Sequence, residues 1–121
     1  MNRPDPRRAL GNTGEDAAAR WYEARGYRIA DRNWRVREGE LDLVLRRGST
    51  IVFCEVKTRR GDAFGSPFEA VTLTKQRRLR ALALRWLTEH RVHAASLRFD
   101  VVAVRLVTGR GVEIEVLEAA F

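Results

Sequence analysis

Asp42 and the triplet Glu55-Val56-Lys57 are the residues of this chain best suited to chemistry. Two carboxylates on neighbouring strands could hold a divalent cation, and a lysine beside them could act on a water or a phosphate. The chain has only two lysines, Lys57 and Lys75, among 23 basic residues. Where arginine is the default cation, a lysine marks a need for a compact charge with a tunable pKa.

The elements around these residues decide whether they meet. Residues 40–45 and 51–57 read as two strands, mostly apolar on both faces, joined through Gly48-Ser49. A Gly-X pair suits a two-residue type II′ turn. With that loop Arg47 faces Thr50, Asp42 stands opposite Glu55, and Glu40 stands opposite Lys57. Alternation then sends all four side chains to one face of the sheet. Directly opposed residues have Cβ atoms about 4.5–5.5 Å apart, so the two acids repel each other and call for a positive charge between them. Lys57 could supply it, or a divalent cation could. Mg²⁺ needs only one or two protein carboxylates because it keeps several waters. Asp42 and Glu55 are the expected direct ligands, with the Val56 carbonyl as a third. Lys57 would then orient the attacking water or neutralise charge on the phosphorane. The same residues also fit a purely structural cross-strand network in which Glu40 binds Lys57. A register slip of one residue would put the acids on opposite faces.

Elsewhere the chain reads as one domain over 11–121, preceded by a disordered tail over 1–10. A first helix should begin at Asn12-Thr13, which are good N-caps, and stop at Gly26. Ala18, Trp21, Tyr22 and Arg25 share one of its faces. Residues 27–36 read as an irregular strand and residues 59–65 as a mobile loop. Ser66-Pro67-Phe68-Glu69 has the pattern of a capping box with proline at the first helical position. A longer helix over about 74–90 has the apolar stripe Leu79, Leu82, Ala83, Trp86 and Leu87. Two strands, 97–107 and 112–117, close the chain. The order α-β-β-β-α-β-β predicts an α/β fold with a mixed central sheet flanked by helices.

Composition narrows the partners. The 121 residues carry a formal charge of +7, with 45% apolar and 32% charged residues. That surplus points to a polyanion. The longest apolar stretches fall far short of the roughly 20 residues that cross a bilayer, so no membrane association is expected. The single cysteine, Cys54, excludes an intrachain disulfide and suits a reducing cytoplasm. Lys75-Gln76-Arg77-Arg78 sits at a helix N-terminus, where amides and dipole favour phosphate. Arg59 and Arg60 follow the lysine strand and are placed to grip nucleic acid. No Gly-rich phosphate loop is present, so no nucleotide cofactor is expected. Trp21, Trp34 and Trp86 read as packing residues, Asp100 as structural, and His90 and His93 as lacking a zinc pattern.

The acid, spacer and Glu-x-Lys arrangement resembles the PD-(D/E)xK nuclease superfamily, with Leu41 in place of the literal proline. Over roughly residues 11–107 the chain resembles, more narrowly, the bacterial YraN-like family of predicted endonucleases. The segments that match are Gly11-Asn12-Thr13-Gly14-Glu15-Asp16-Ala17-Ala18, Gly39-Glu40-Leu41-Asp42-Leu43-Val44, Phe53-Cys54-Glu55-Val56-Lys57-Thr58-Arg59 and Thr74-Lys75-Gln76-Arg77-Arg78-Leu79. That family is similar in fold to archaeal Holliday-junction resolvases and restriction endonucleases. The resemblance implies an α-β-β-β-α-β core and Mg²⁺ (or Mn²⁺)-dependent hydrolysis of DNA phosphodiester bonds. It does not supply the substrate; the expectation for that is branched or structured DNA, such as a junction. The resemblance assigns metal binding to Asp42 and Glu55, catalysis to Lys57, and an additional acid to Glu15. Symmetric cutting of a junction would call for a homodimer. The other reading is a nucleic-acid-binding protein that keeps the fold without the activity.

Overall fold

The computed structural model describes residues 6–61, 68, 71–109 and 111–121. Helix α1 spans Pro6–Glu23, and strands β1 (Arg28–Val36), β2 (Gly39–Arg47) and β3 (Thr50–Arg60) follow it. Helix α2 (Leu73–His90) leads to β4 (Ser96–Val107) and β5 (Gly111–Leu117). The expected α/β order is borne out. Two expectations need correction. Helix α1 starts at Pro6, not at Asn12-Thr13, so residues 6–10 of the expected tail are helical. Proline is well suited to the first helical position, because its missing N–H would have no intrahelical partner there. Residues 1–5 lie outside the described residues. Arg59 and Arg60, expected in a loop over 59–65, instead continue β3 in parallel pairing with Arg105 and Leu106 of β4, and residues 62–65 of that expected loop lie outside the described residues. Most of the segment expected to form a short helix, Ser66-Pro67-Phe68-Glu69, lies outside the described residues.

The five strands form one mixed sheet in the order β1-β2-β3-β4-β5. Only β3 and β4 run parallel, with α2 as their crossover; the other neighbours are antiparallel. The β2–β3 turn is as expected. Gly48 has a φ of 60° and Arg47 pairs with Thr50.

Each helix covers one face of the sheet. On one face Ala18, Ala19 and Tyr22 of α1 pack on Leu43, Leu45, Val52, Cys54, Val102 and Val104. On the other, Leu79, Leu82, Ala83 and Trp86 of α2 pack on Val44, Ile51, Phe53 and Phe99. Trp86 is buried, while Trp21 and Trp34 are half-buried at the margins of these clusters. Thr72 caps α2 by accepting the Lys75 N–H at 3.2 Å. Among the described residues, no helix is long and apolar enough to cross a membrane.

Asp100 is structural, as expected. It is buried and accepts hydrogen bonds from Tyr22 Oη at 2.6 Å, from Arg98 through two nitrogens at 2.9 Å, and from the Ala119 N–H at 3.0 Å. Burying a carboxylate is tolerable only with such satisfaction. His90 closes α2 stacked on Trp86, with its Nδ1 against the Trp86 carbonyl.

Candidate active site

The site forms where β2 and β3 separate. Their pairing runs from Arg47↔Thr50 to Leu43↔Cys54 and ends there. Asp42 is therefore not a ladder partner of Glu55, although it lies on the line that register predicts. Its carboxylate instead accepts the Val56 N–H at 2.8 Å, in place of a backbone bond. The side-chain alternation also breaks at this point. Leu43 and Leu45 face α1, yet Leu41, two residues earlier, joins the α2 cluster. On the neighbouring strand the pairs Arg32↔Leu43 and Trp34↔Leu41 set Asn33 opposite Asp42, and Asn33 has a φ of 53°. Asparagine is among the few non-glycine residues that tolerate this conformation.

A cleft of about 320 Å³ opens at this split. Glu40, Asp42, Glu55, Lys57, Lys75 and Arg78 line it, closed below by Leu79 and Leu82 of α2. Asp42 and Glu55 are nearly buried, at 7% and 8% exposure. The Glu55 Oε1 atom receives both lysines of the chain, Lys75 Nζ at 2.7 Å and Lys57 Nζ at 3.2 Å. Glu40 does not bind Lys57 as the structural network required. It pairs with Arg35 across the β1–β2 ladder at 2.8 Å and stays half exposed.

Glu15 reaches the same region from α1. Its pKa is raised, chiefly by burial, while Asn33 and Arg32 act to lower it. Arg32 Nε lies 3.5 Å from Glu15 Oε2, and that buried oxygen accepts no hydrogen bond among the described residues. The α1 backbone comes close enough to deliver Glu15 because residue 14 is glycine. A Cβ there would sit 1.8 Å from Thr58 Oγ1, the residue after Lys57.

The electrostatics follow from these neighbours. Burial, then the charge of Glu55, pushes the Asp42 pKa up to about 8; Glu15 and Glu40 add to this, and the Val56 N–H opposes it. Burial and the adjoining Lys75 hold the Lys57 pKa below its ordinary value against the pull of Glu55. Burial also works against the Lys75 charge, but its contacts with Glu55 and Lys57 outweigh that and raise its pKa.

These residues fit a divalent cation of the magnesium type. Asp42 and Glu55 offer hard oxygens, and burial beside Glu55 disfavours the Asp42 charge, a penalty that a bound cation would offset. Among the described residues no group of three or more His, Cys, Asp and Glu side chains is gathered to hold a metal. The donor set is thus two carboxylates, which suits an ion that keeps its waters. The expected nucleic-acid contacts are divided. Arg78 lines the cleft and Arg77 is exposed beside it on α2. Gln76 folds back onto the Val71 carbonyl at 3.2 Å. Arg60 lines a separate cleft with Gly61, Leu106, Val107 and Thr108.

Sequence reasoning missed Asn33 and Arg32, which orient Glu15, and did not connect Lys75 with Glu55. For Asn33 the signal was an asparagine within a strand already read as irregular. For Lys75 it was the scarcity of lysine.

Comparison with known proteins gives the lineage. The chain is 59% identical to a UPF0102 protein of Beutenbergia cavernae over 96 residues, covering 79% of this chain and 81% of that one. It is 56% identical to one from Frankia alni and 52% identical to one from Rhodococcus opacus, each over 113 residues and 93% of this chain. Those matches cover 94% and 96% of the two relatives. Residues 14–104, from Gly14 beside Glu15 through the cleft to β4, match the description "Uncharacterised protein family UPF0102", and the chain belongs to that family.

Proposed function

We propose that this chain is a Mg²⁺- or Mn²⁺-dependent endonuclease that hydrolyses DNA phosphodiester bonds, with branched or structured DNA as its substrate. The observation that carries this reading is the convergence of Asp42, Glu55 and Lys57 on one cleft at the β2–β3 split. The resemblance to YraN-like and PD-(D/E)xK nucleases supports it, because the acids and the lysine fall at the matching positions. Asp42 and Glu55 would hold the ion, with the Val56 carbonyl as a third donor and Glu15 as the additional acid. A divalent ion in such a site polarises a phosphate oxygen and lowers the pKa of a bound water.

The protein residues do the rest. Lys57 orients the attacking water and offers its positive charge to the negative charge that develops on the phosphorane oxygens. Leu79 and Leu82 floor the cleft with apolar surface, which strengthens the electrostatics above them. Arg77 and Arg78 bring a DNA backbone towards the acids, with Arg59 further along β3. A homodimer would supply two such clefts for a symmetric junction.

The test is a cleavage panel of junction, flap, nicked, single-stranded and duplex DNA with Mg²⁺ and with Mn²⁺. The parent should cut at least one structure, and Asp42→Asn should bind that DNA without cutting it. If neither cation shifts the melting temperature and no member of the panel is cut, the catalytic reading is wrong. Retained DNA binding in that case would identify a non-catalytic binding protein.

A further inference from the structure

Lys75 stands apart from the other basic residues of α2. Arg85 is paired with Glu38 and Glu89, Arg80 lies over Phe99 and Phe121, Arg77 is exposed, and Arg78 lines the same cleft one turn further along the helix. Lys75 points down into the cleft and makes the shorter of the two contacts to Glu55 Oε1. It comes from a different element than Lys57. It sits in the first turn of α2, three residues beyond the Thr72 cap. Its side chain is 29% exposed, so it also has an open path towards anything entering the cleft.

Two ammonium groups on one carboxylate oxygen are more positive charge than Glu55 needs, and Lys57 is anchored on the same strand as Glu55. Resting on the metal-site reading above, we propose that Lys75 is an exchangeable counter-ion: it occupies Glu55 in the resting protein, yields that oxygen to an entering divalent cation, and turns to the phosphate of the substrate. The α2 N-terminus, where backbone amides already favour an anion, is the natural place for that second position. Lys75 is then a positioning residue that couples cation binding to phosphate binding. A lysine suits this role better than an arginine, because its point charge has no fixed fork to satisfy.

The proposal sets a direction opposite to that of a structural ion pair. Lys75→Met keeps the aliphatic stem and removes the competitor for Glu55. Titration calorimetry with Mn²⁺ alone, without nucleic acid, should give a Kd about threefold or more tighter for Lys75→Met than for the parent. Lys75→Arg, which keeps the charge, should stay near the parent. Equal or weaker Mn²⁺ binding by Lys75→Met overturns the proposal. Absence of Mn²⁺ binding in the parent and in both variants overturns the metal site itself, and the proposal with it. A second measurement needs no metal. Glu55→Gln releases Lys75, so adding Lys75→Met should weaken binding to a DNA duplex in EDTA more in that background than with Glu55 intact. Equal losses in the two backgrounds mean that Lys75 is never held back by Glu55. Far-ultraviolet circular dichroism and a melting curve confirm folding, and Lys75→Gln serves as the second neutral variant.

Discussion

The Asp42 carboxylate holds the Val56 N–H at 2.8 Å one residue beyond the last pair of the β2–β3 ladder, so the acid itself closes the gap that the parting strands leave. This contact explains how a nearly buried acid can stand beside another. One oxygen is tied to the backbone, which leaves the other for the cleft.

It also sets the first prediction. The folded Asp42 pKa is pushed up to about 8, mainly by burial and by Glu55, while an unfolded aspartate titrates near ~3.9. A carboxyl group raised in the folded state favours folding fully below its unfolded pKa. That contribution is lost as pH rises from about 4 through about 8. Metal-free protein should lose stability across this window, by at most on the order of 5 kcal/mol from this group. Asp42→Asn keeps an oxygen for Val56 and offers its amide to Glu55, so it should flatten that part of the profile. It should melt above the parent at pH 8.5 in EDTA. Mn²⁺ should raise the melting temperature of the parent there and leave the variant unchanged. Urea melts from pH 5 to 9 provide the check, and parallel profiles for the two proteins would show that Asp42 is ionised without strain.

A second prediction concerns the approach of α1 to β3. Gly14→Ala puts a methyl group 1.8 Å from Thr58 Oγ1 and 2.9 Å from Thr58 Cβ, so something must move. Overpacking of this kind costs about 1–3 kcal/mol. The helix would have to withdraw, taking Glu15 from the site. Trimming Thr58 to glycine should recover part of the loss, so the costs of Gly14→Ala and Thr58→Gly should not add. Chemical denaturation of the four proteins of the cycle measures this, and strict additivity would separate Gly14 from Thr58.

The local sequence carried much of this architecture because the determining signals were short-ranged. Gly48-Ser49 set the β2–β3 register, and the apolar spacing of Leu79, Leu82, Ala83 and Trp86 set the buried face of α2. Asp42, Glu55 and Lys57 followed from that register. The end of the ladder at Leu43↔Cys54 did not follow, since where two strands part depends on what packs on each of them and not on the turn that joins them. Nor did the Lys75–Glu55 contact, which depends on how far the crossover helix slides along the sheet. The start of α1 at Pro6 was hidden by the better capping residues Asn12 and Thr13, which lie inside the helix.

The buried network on the α1 face gives a third prediction. Arg98 donates to Asp100 from two nitrogens and also to Tyr27 Oη, while Tyr22 donates to Asp100 from the other side. Arg98→Met leaves a buried carboxylate without its charge partner and should cost about 3–5 kcal/mol. Tyr22→Phe removes one donor and should cost about 1–3 kcal/mol. Since this network lies away from the cleft, Mn²⁺ affinity should be unchanged for any variant that stays folded. A metal-binding defect in folded Tyr22→Phe would join two regions that the geometry separates.

The last prediction reads the basic face of α2 through salt. Arg78 lines the cleft and Arg77 is exposed beside it, whereas Arg85 is held by Glu38 and Glu89. If a DNA backbone follows that face, each phosphate contact releases condensed counterions. The slope of log K against log salt then falls by about 0.9 per lost contact on duplex DNA. Arg77→Ala and Arg78→Ala should each lower the slope by roughly one and weaken all sequences alike. Arg85→Ala should leave it unchanged, because that guanidinium is already engaged by two carboxylates. Arg60→Ala tests the reach of the interface, since its cleft lies elsewhere. A reduced slope there would carry the DNA path past β3 towards β4, and an unchanged slope would confine it to α2 and the acid cleft. Fluorescence anisotropy between 50 and 300 mM salt, in EDTA so that no cutting intervenes, separates these outcomes. Equal slopes for Arg77→Ala, Arg78→Ala and the parent would take α2 out of the nucleic-acid interface.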